Sequence, residues 1–368
     1  MIDRRAFTFG LGSALFARAA RAEVRINGVI MPEEDKIDKK TIPYTPVDMI
    51  PNHRQFMRDI VIELSNYGRK RKPGFIVLLR DAPELLFKEQ REWEWEFARD
   101  PEGMKKGKYL PEGSLFDPVF EAIDGVVFDG LFYGRETVDQ ATNKAIAKYL
   151  MANVERVKSR NRRALSIEYC RDAKIRSEIS QKASQSGVLS YLDATGNKNL
   201  TEIPSGHPPF ENAQHVLKLA NAQNILPIFG QGGFKDRLAW ISALADTNFD
   251  LLLLDPFWGG HDSLTFAEMK QLKYKKLGAQ RLIIAVLPIG LAQQNRFYWQ
   301  KDWRSGSPDW LGAKDADDPN QFHVQYWTAG WKAIIGRYMQ GLVDLGVDGV
   351  LLDGADAYHY FEEMMPLD

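Results

Sequence analysis

Asp348-Gly-Val-Leu-Leu-Asp353-Gly-Ala-Asp356-Ala-Tyr358 runs from a Gly-containing turn through an apolar segment to a carboxylate. The pattern predicts a strand buried on both faces whose far end meets solvent and delivers an acid there. The phrase returns as Asp124-Gly-Val-Val-Phe-Asp129-Gly-Leu-Phe-Tyr133, matching at both Asp, both Gly and the Val. Two strands are therefore expected to bring an acid, then a Tyr, to the same edge of one sheet. Asp-Gly used only as turn chemistry is the alternative reading.

Further apolar runs of strand length lie at 75–79, 164–169, 188–192, 225–229, 249–254 and 282–289. Segments at 137–158, 172–185, 209–222, 234–245, 264–277 and 329–345 read as helices between strands, and His53 to Tyr67 as a helix ahead of the first strand. Strict alternation implies a parallel sheet, and eight such units fit closure into a single (β/α)8 TIM barrel over 53–368. A doubly wound open sheet is the other α/β architecture compatible with the pattern. Pro227 is at odds with a central strand, because it cannot donate to the ladder. The longest connections, 81–123 and 290–328, both leave strand carboxyl ends, where barrels build their sites.

Ahead of the barrel, Asp3-Arg4-Arg5-Ala6-Phe7 opens a mildly apolar run, and Ala20-Arg21-Ala22 supplies a small-x-small cleavage site. Residues 1–22 thus read as a twin-arginine export signal peptide, and the protein as periplasmic or secreted. Residues 23–52, with Pro32, Pro43, Pro46 and Pro51, read as an extended lead-in. The 368 residues are 44% hydrophobic and 26% charged, which suits a large core and excludes a disordered chain. Removing the signal takes away four Arg and one Asp, moving the formal charge from −1 to about −4. That leaves no basic surplus for nucleic acid, and the apolar runs are too short for membrane insertion. Cys170 stands alone, so no intrachain disulfide is expected.

On the barrel reading, the strand ends collect Arg80, Asp129 with Tyr133, Glu168 with Tyr169, Asp255, Gln293, and Asp353 with Asp356 and Tyr358. Carboxylates are dense there and His is absent. Acid-only chemistry points to glycosidic bonds, where one carboxyl protonates the leaving oxygen and another attacks or activates water. Asp255, Asp353, Glu168 and Asp129 are the catalytic candidates. Pairing with Arg80, Arg135 or Arg171 is the structural alternative for Asp353, Glu168, Asp129 and Asp356, and a capping or salt-bridged role is the alternative for Asp255. Asp255 is the sharpest, because Phe249-Asp-Leu-Leu-Leu-Leu254 leaves the core there and enters the aromatic loop containing Trp258. Phe297, Tyr298, Trp299, Trp303, Trp310, Tyr326, Trp327 and Trp331 form an aromatic cluster suited to stacking on sugar rings or to a satellite core, and Arg296 can hold a polar substituent. No cofactor is expected. The His and acid spacings fit no metal site, and Gly230-Gln-Gly-Gly233 lacks the Lys of a phosphate-binding loop.

These motifs resemble glycoside hydrolase family 114, the endo-α-1,4-polygalactosaminidase-like proteins. The resemblance rests on Phe249–Asp255, Leu287-Pro-Ile-Gly290, Asn295-Arg-Phe-Tyr-Trp299, Pro308-Asp-Trp-Leu311, Tyr326-Trp327 with Trp331, and Gly346–Asp353 with Asp356-Ala-Tyr358. Segments from Arg54 to Tyr169 resemble the portion of that family that comes after its final Asp-Ala-Tyr strand, so the chain looks circularly permuted. The resemblance implies a TIM barrel acting on an amino-sugar or acidic exopolysaccharide, with Asp255 as nucleophile or base. It also marks a departure: Gly290-Leu291-Ala292-Gln293 stands where relatives carry Gly-Glu-Ala-Glu, and Arg80-Asp81 where they carry Gln-Asn. Gln293 can bind a sugar hydroxyl but cannot exchange a proton. A non-catalytic carbohydrate-binding protein is therefore the second functional expectation.

Overall fold

Each apolar run ends up hydrogen-bonded to a neighbour in one sheet. In the computed structural model, which describes residues 25–26, 29–30, 42 and 44–367, the barrel strands are β1 (Ile76–Arg80), β2 (Gly125–Asp129), β3 (Arg163–Tyr169), β4 (Leu189–Asp193), β5 (Ile225–Ile228), β6 (Leu251–Leu254), β7 (Leu282–Pro288) and β8 (Gly349–Asp353). They form one parallel sheet in the order β4-β3-β2-β1-β8-β7-β6-β5. The opening stretch supplies β8, and its echo supplies β2, with β1 bonded to both. The two acids therefore flank the end of β1.

Within each strand, alternate side chains face opposite ways. Leu78, Val127, Ile167, Leu253, Ile284 and Leu351 belong to the cluster that fills the barrel, whereas Leu79, Val126, Phe128, Leu252, Leu287 and Leu352 pack in the outer layer against the helices. Helices His53–Arg71, Lys144–Ser159, Ala173–Gln185, Arg237–Ala245, Phe266–Leu272 and Ala329–Leu345 make that layer. His53–Arg71 stands between β8 and β1 in the ring, with helix Tyr358–Met364 beside it.

The ring is nearly closed: no ladder joins β4 to β5. The helix expected at 209–222 is reduced to a single 3-10 turn, Leu219–Asn221. Val216, Leu219 and Ala222 have helix-like spacing, but they turn inward and join the barrel-filling cluster, together with Leu200. At the seam Phe229 N–H donates to the Leu200 carbonyl at 2.8 Å. Pro227 is accommodated because β5, bonded only to β6, is an edge strand.

The two long connections are ordered. Residues 81–123 hold helices Gln90–Arg99, Pro101–Lys105 and Asp117–Ala122, and 290–328 hold an antiparallel sheet of Leu291–Gln293, Gln321–Val324 and Leu311–Lys314. The expected leader and cleavage site lie outside the described residues. Of the lead-in, Arg25–Ile26 pairs with Val29–Ile30, and Val47–Met49 is a 3-10 turn. Among the described residues no helix is long and apolar enough to cross a membrane.

Gly349 fixes the spacing of β8 and β1, since an added Cβ would lie 2.1 Å from the Ile76 carbonyl oxygen. Gly349→Ala is expected to cost at least about 1–3 kcal/mol, the ordinary penalty for overpacking. Urea unfolding of the variant checks this.

Candidate active site at the barrel mouth

Strand phase decides which acids share the mouth. Arg80, Asp129, Tyr169, Asp255 and Asp353 continue in step with the inward residues Leu78, Val127, Ile167, Leu253 and Leu351. Arg80 sits among them. Its Nε and Nη2 reach Asp129 Oδ2 at 2.9 and 2.7 Å, and its Nη1 reaches Asp353 Oδ1 at 3.0 Å. Tyr169 donates its hydroxyl to Asp129 Oδ1 at 3.0 Å. Both Asp129 oxygens are thereby occupied, whereas Asp353 Oδ2 has no protein donor among the described residues. Burial works against the Arg80 cation, and Asp129 and Asp353 more than offset it, holding the guanidinium well above its usual range. Burial raises the Asp129 carboxyl, with Arg80 opposing and Asp81 adding repulsion. Asp81 adopts φ 45° and grips Arg135 in a two-pronged pair at 2.8 and 3.0 Å.

Asp356 comes after β8, at the rim. Its side chain is exposed, and no side chain of the described residues bonds to it. Neighbouring protein, with repulsion from Asp81 and Asp353, pushes its carboxyl up, and its exposure to solvent moderates the effect.

Asp255 is held differently. Arg296 Nη1 and Nη2 meet its two oxygens at 2.9 and 2.8 Å, and both side chains are buried. Gln293 Oε1 accepts from Arg296 Nε, completing the clamp. Burial pushes the Asp255 carboxyl up and Arg296 opposes it. Arg296 is therefore spent on Asp255, and the expectation that it holds a substrate group is corrected.

Glu168 is also corrected. It lies out of phase with Tyr169, on the outer face of β3, fully buried, and its Oε2 accepts the Phe132 and Tyr133 N–H groups at 2.9 Å each. It clamps the loop after β2. Burial raises its carboxyl from 4.5 to about 7. The neutral form is the stabilising one, so this contribution is complete below about pH 4.5 and lost as pH rises through about 7, a swing of about 3 kcal/mol. Glu168→Gln keeps an acceptor without the ionisation. It is expected to flatten the decline in melting temperature between about pH 5 and 8, which calorimetry across that range would reveal.

The aromatic residues divide. Tyr326 and Tyr358 are wholly buried, their hydroxyls bonded to the His53 carbonyl at 2.9 Å and to Glu84 at 3.0 Å, so neither faces a ligand. Trp310 of the loop and Trp331 of the helix Ala329–Leu345 are buried against each other in a tilted pair, and Trp331 Nε1 donates to the Ile289 carbonyl. Trp299 packs on Trp303 and Phe322, Trp258 leans on Trp240, and both stay partly exposed. Tyr133 is partly exposed beside the mouth, where its carbonyl accepts from Tyr169 N–H. Sequence reasoning offered Arg135 as a partner for the mouth's acids without assigning it to Asp81, and missed Lys198, whose Nζ donates to the Arg135 carbonyl at 2.7 Å. Among the described residues no group of His, Cys, Asp and Glu is arranged to hold a metal ion.

Fold and site together define a nearly closed parallel α/β barrel with an arginine-braced acidic mouth at its strand carboxyl ends. No family model matches the chain. It is similar to three curated proteins, each named only as an uncharacterised protein. One from Methanocaldococcus jannaschii is 29% identical over 177 residues, 48% of this chain and 50% of that protein. One from Deinococcus radiodurans is 37% identical over 119 residues, 32% of this chain and 37% of its own length. The third, from Thermotoga maritima, is 29% identical over 120 residues, 33% and 36% of the two chains. The chain thus spans half or less of the length of the curated relatives it matches.

Proposed function

We propose that this chain is a glycosidase of the family 114 type, circularly permuted, exported to the periplasm or beyond, and acting on an amino-sugar or acidic exopolysaccharide. The observation that carries the reading is Asp353, braced through one oxygen by Arg80 with the other oxygen free, beside Asp356, whose carboxyl is raised. A carboxylate with a free oxygen next to a second carboxyl inclined to keep its proton suits a base or nucleophile paired with an acid. Asp356 gives its proton to the glycosidic oxygen as the bond to the anomeric carbon breaks. Asp353 Oδ2 either attacks that carbon or takes a proton from the attacking water. Asp129 and Tyr169 keep Arg80 in place. Asp255, the leading candidate from sequence, becomes a structural partner of Arg296.

A group that must be protonated to act loses its effect above its own range. Turnover is therefore expected to fall on the alkaline side, at a pH above that of an ordinary carboxyl, and a pH–rate profile checks it. Release of reducing ends from amino-sugar or uronate polymers, absent in Asp356→Asn, supports the reading. A wild type that releases none from either polymer ends it.

The clamped Asp255 favours a second reading, a binding protein that has lost its chemistry. Leu291→Glu with Gln293→Glu restores both missing acids. Hydrolysis by that variant alone would select the binding protein.

A further inference from the structure

Cations at the mouth are largely spent: Arg80 on Asp129 and Asp353, Arg135 on Asp81, Arg296 on Asp255. Lys198, in the connection from β4 to β5, is not. Its Nζ donates to the Arg135 carbonyl at 2.7 Å and lies 5.2 Å from the centre of the Tyr169 ring, and it has no carboxylate partner among the described residues. An ammonium has more N–H donors than that contact uses, and they remain beside the ring whose hydroxyl holds Asp129.

The loop keeps Lys198 there against backbone preference. Lys198 and Leu200 have φ 58° and 52°, a region that side-chain-bearing residues avoid. Leu200 is buried in the barrel-filling cluster and its carbonyl is bonded to Phe229 N–H. Thr195, Asn197 and Asn199 tie the turn together through Thr195 Oγ1 to Asn197 Oδ1 at 2.8 Å and Asn199 N–H to Asn197 Oδ1 at 3.2 Å. Strain held in place by packing, at the rim of a site, is characteristic of groups positioned for a ligand.

We propose that Lys198 is a specificity residue that receives the carboxylate of an acidic sugar unit, so that the mouth prefers a uronate-containing chain over an amino-sugar chain. The assignment rests on the carbohydrate reading of the mouth and narrows its substrate class. An anionic group beside Lys198 completes an ion pair that no protein carboxylate supplies, in a half-buried position where such a pair is only partly screened. A ligand ammonium at the same place meets repulsion. Asp353 Oδ2 stays free to act on the neighbouring bond.

The test is calorimetric titration of the full chain with oligogalacturonate and with a galactosamine oligomer of equal length, using wild type, Lys198→Met, Lys198→Gln and Lys198→Arg, with melting curves to verify folding. The wild type is expected to prefer the uronate, less so with added salt. Lys198→Met and Lys198→Gln should lower the uronate-to-galactosamine affinity ratio about tenfold or more, the scale of one charge-assisted hydrogen bond, and Lys198→Arg should retain it. A wild type without uronate preference, or neutral variants that weaken both ligands equally, overturns the proposal. The hydrolase reading fails separately: if the preference collapses in the neutral variants while the wild type cleaves neither polymer, Lys198 keeps its role and only hydrolysis is lost.

Discussion

Asp353→Asn is expected to lower turnover about 10²–10⁴-fold while leaving the melting temperature close to that of the wild type. Asparagine keeps an oxygen for the 3.0 Å contact with Arg80, and Arg80 retains Asp129, so the brace survives. What disappears is an anion able to attack or to take a proton. Reducing-end assays paired with thermal melts separate the two effects. Near-normal turnover in a folded variant would remove Asp353 from the chemistry.

Asp255→Asn is expected to do the opposite, costing about 3–5 kcal/mol of stability by stranding a buried cation. Arg296 cannot neutralise itself by losing a proton, and neither Gln293, the Gly260 carbonyl nor the nearby Phe257 ring supplies a countercharge. Arg296→Leu should be milder and pH-dependent, because the orphaned Asp255 carboxyl can take up a proton. Its penalty shrinks as pH falls. Chemical denaturation at two pH values distinguishes the variants. Equal and pH-independent losses would mean that the pair is not ionic in the folded protein.

Much of the fold was legible because buried strands announce themselves as apolar runs: the opening stretch and its echo contain β8 and β2, each ending at the expected acid, and 75–79 is displaced from β1 by one residue. The inward phase of β3 was not legible. A strand buried on both faces carries no polar alternation, so the sequence Ser166-Ile-Glu168-Tyr169 does not reveal whether Glu168 or Tyr169 faces the mouth. Residues 209–222 misled for a related reason, since Val216, Leu219 and Ala222 have helical spacing but are buried in the barrel-filling cluster. The aromatic cluster could be read as ligand platform or as core, and Trp310 and Trp331 took the second role. Lys198 gave no signal at all, because a lysine in a polar loop is ordinary until its backbone and neighbours are seen.

The missing ladder between β4 and β5 gives this ring a clasp. A fully bonded barrel has no strand that can leave without breaking two ladders, but here β4 is bonded only to β3 and β5 only to β6. Opening therefore has a natural starting point, guarded by the turn that carries Lys198 and by the Leu200–Phe229 hydrogen bond. A ligand that fastens that turn to the mouth would also keep the clasp shut, tying occupancy of the site to the integrity of the ring.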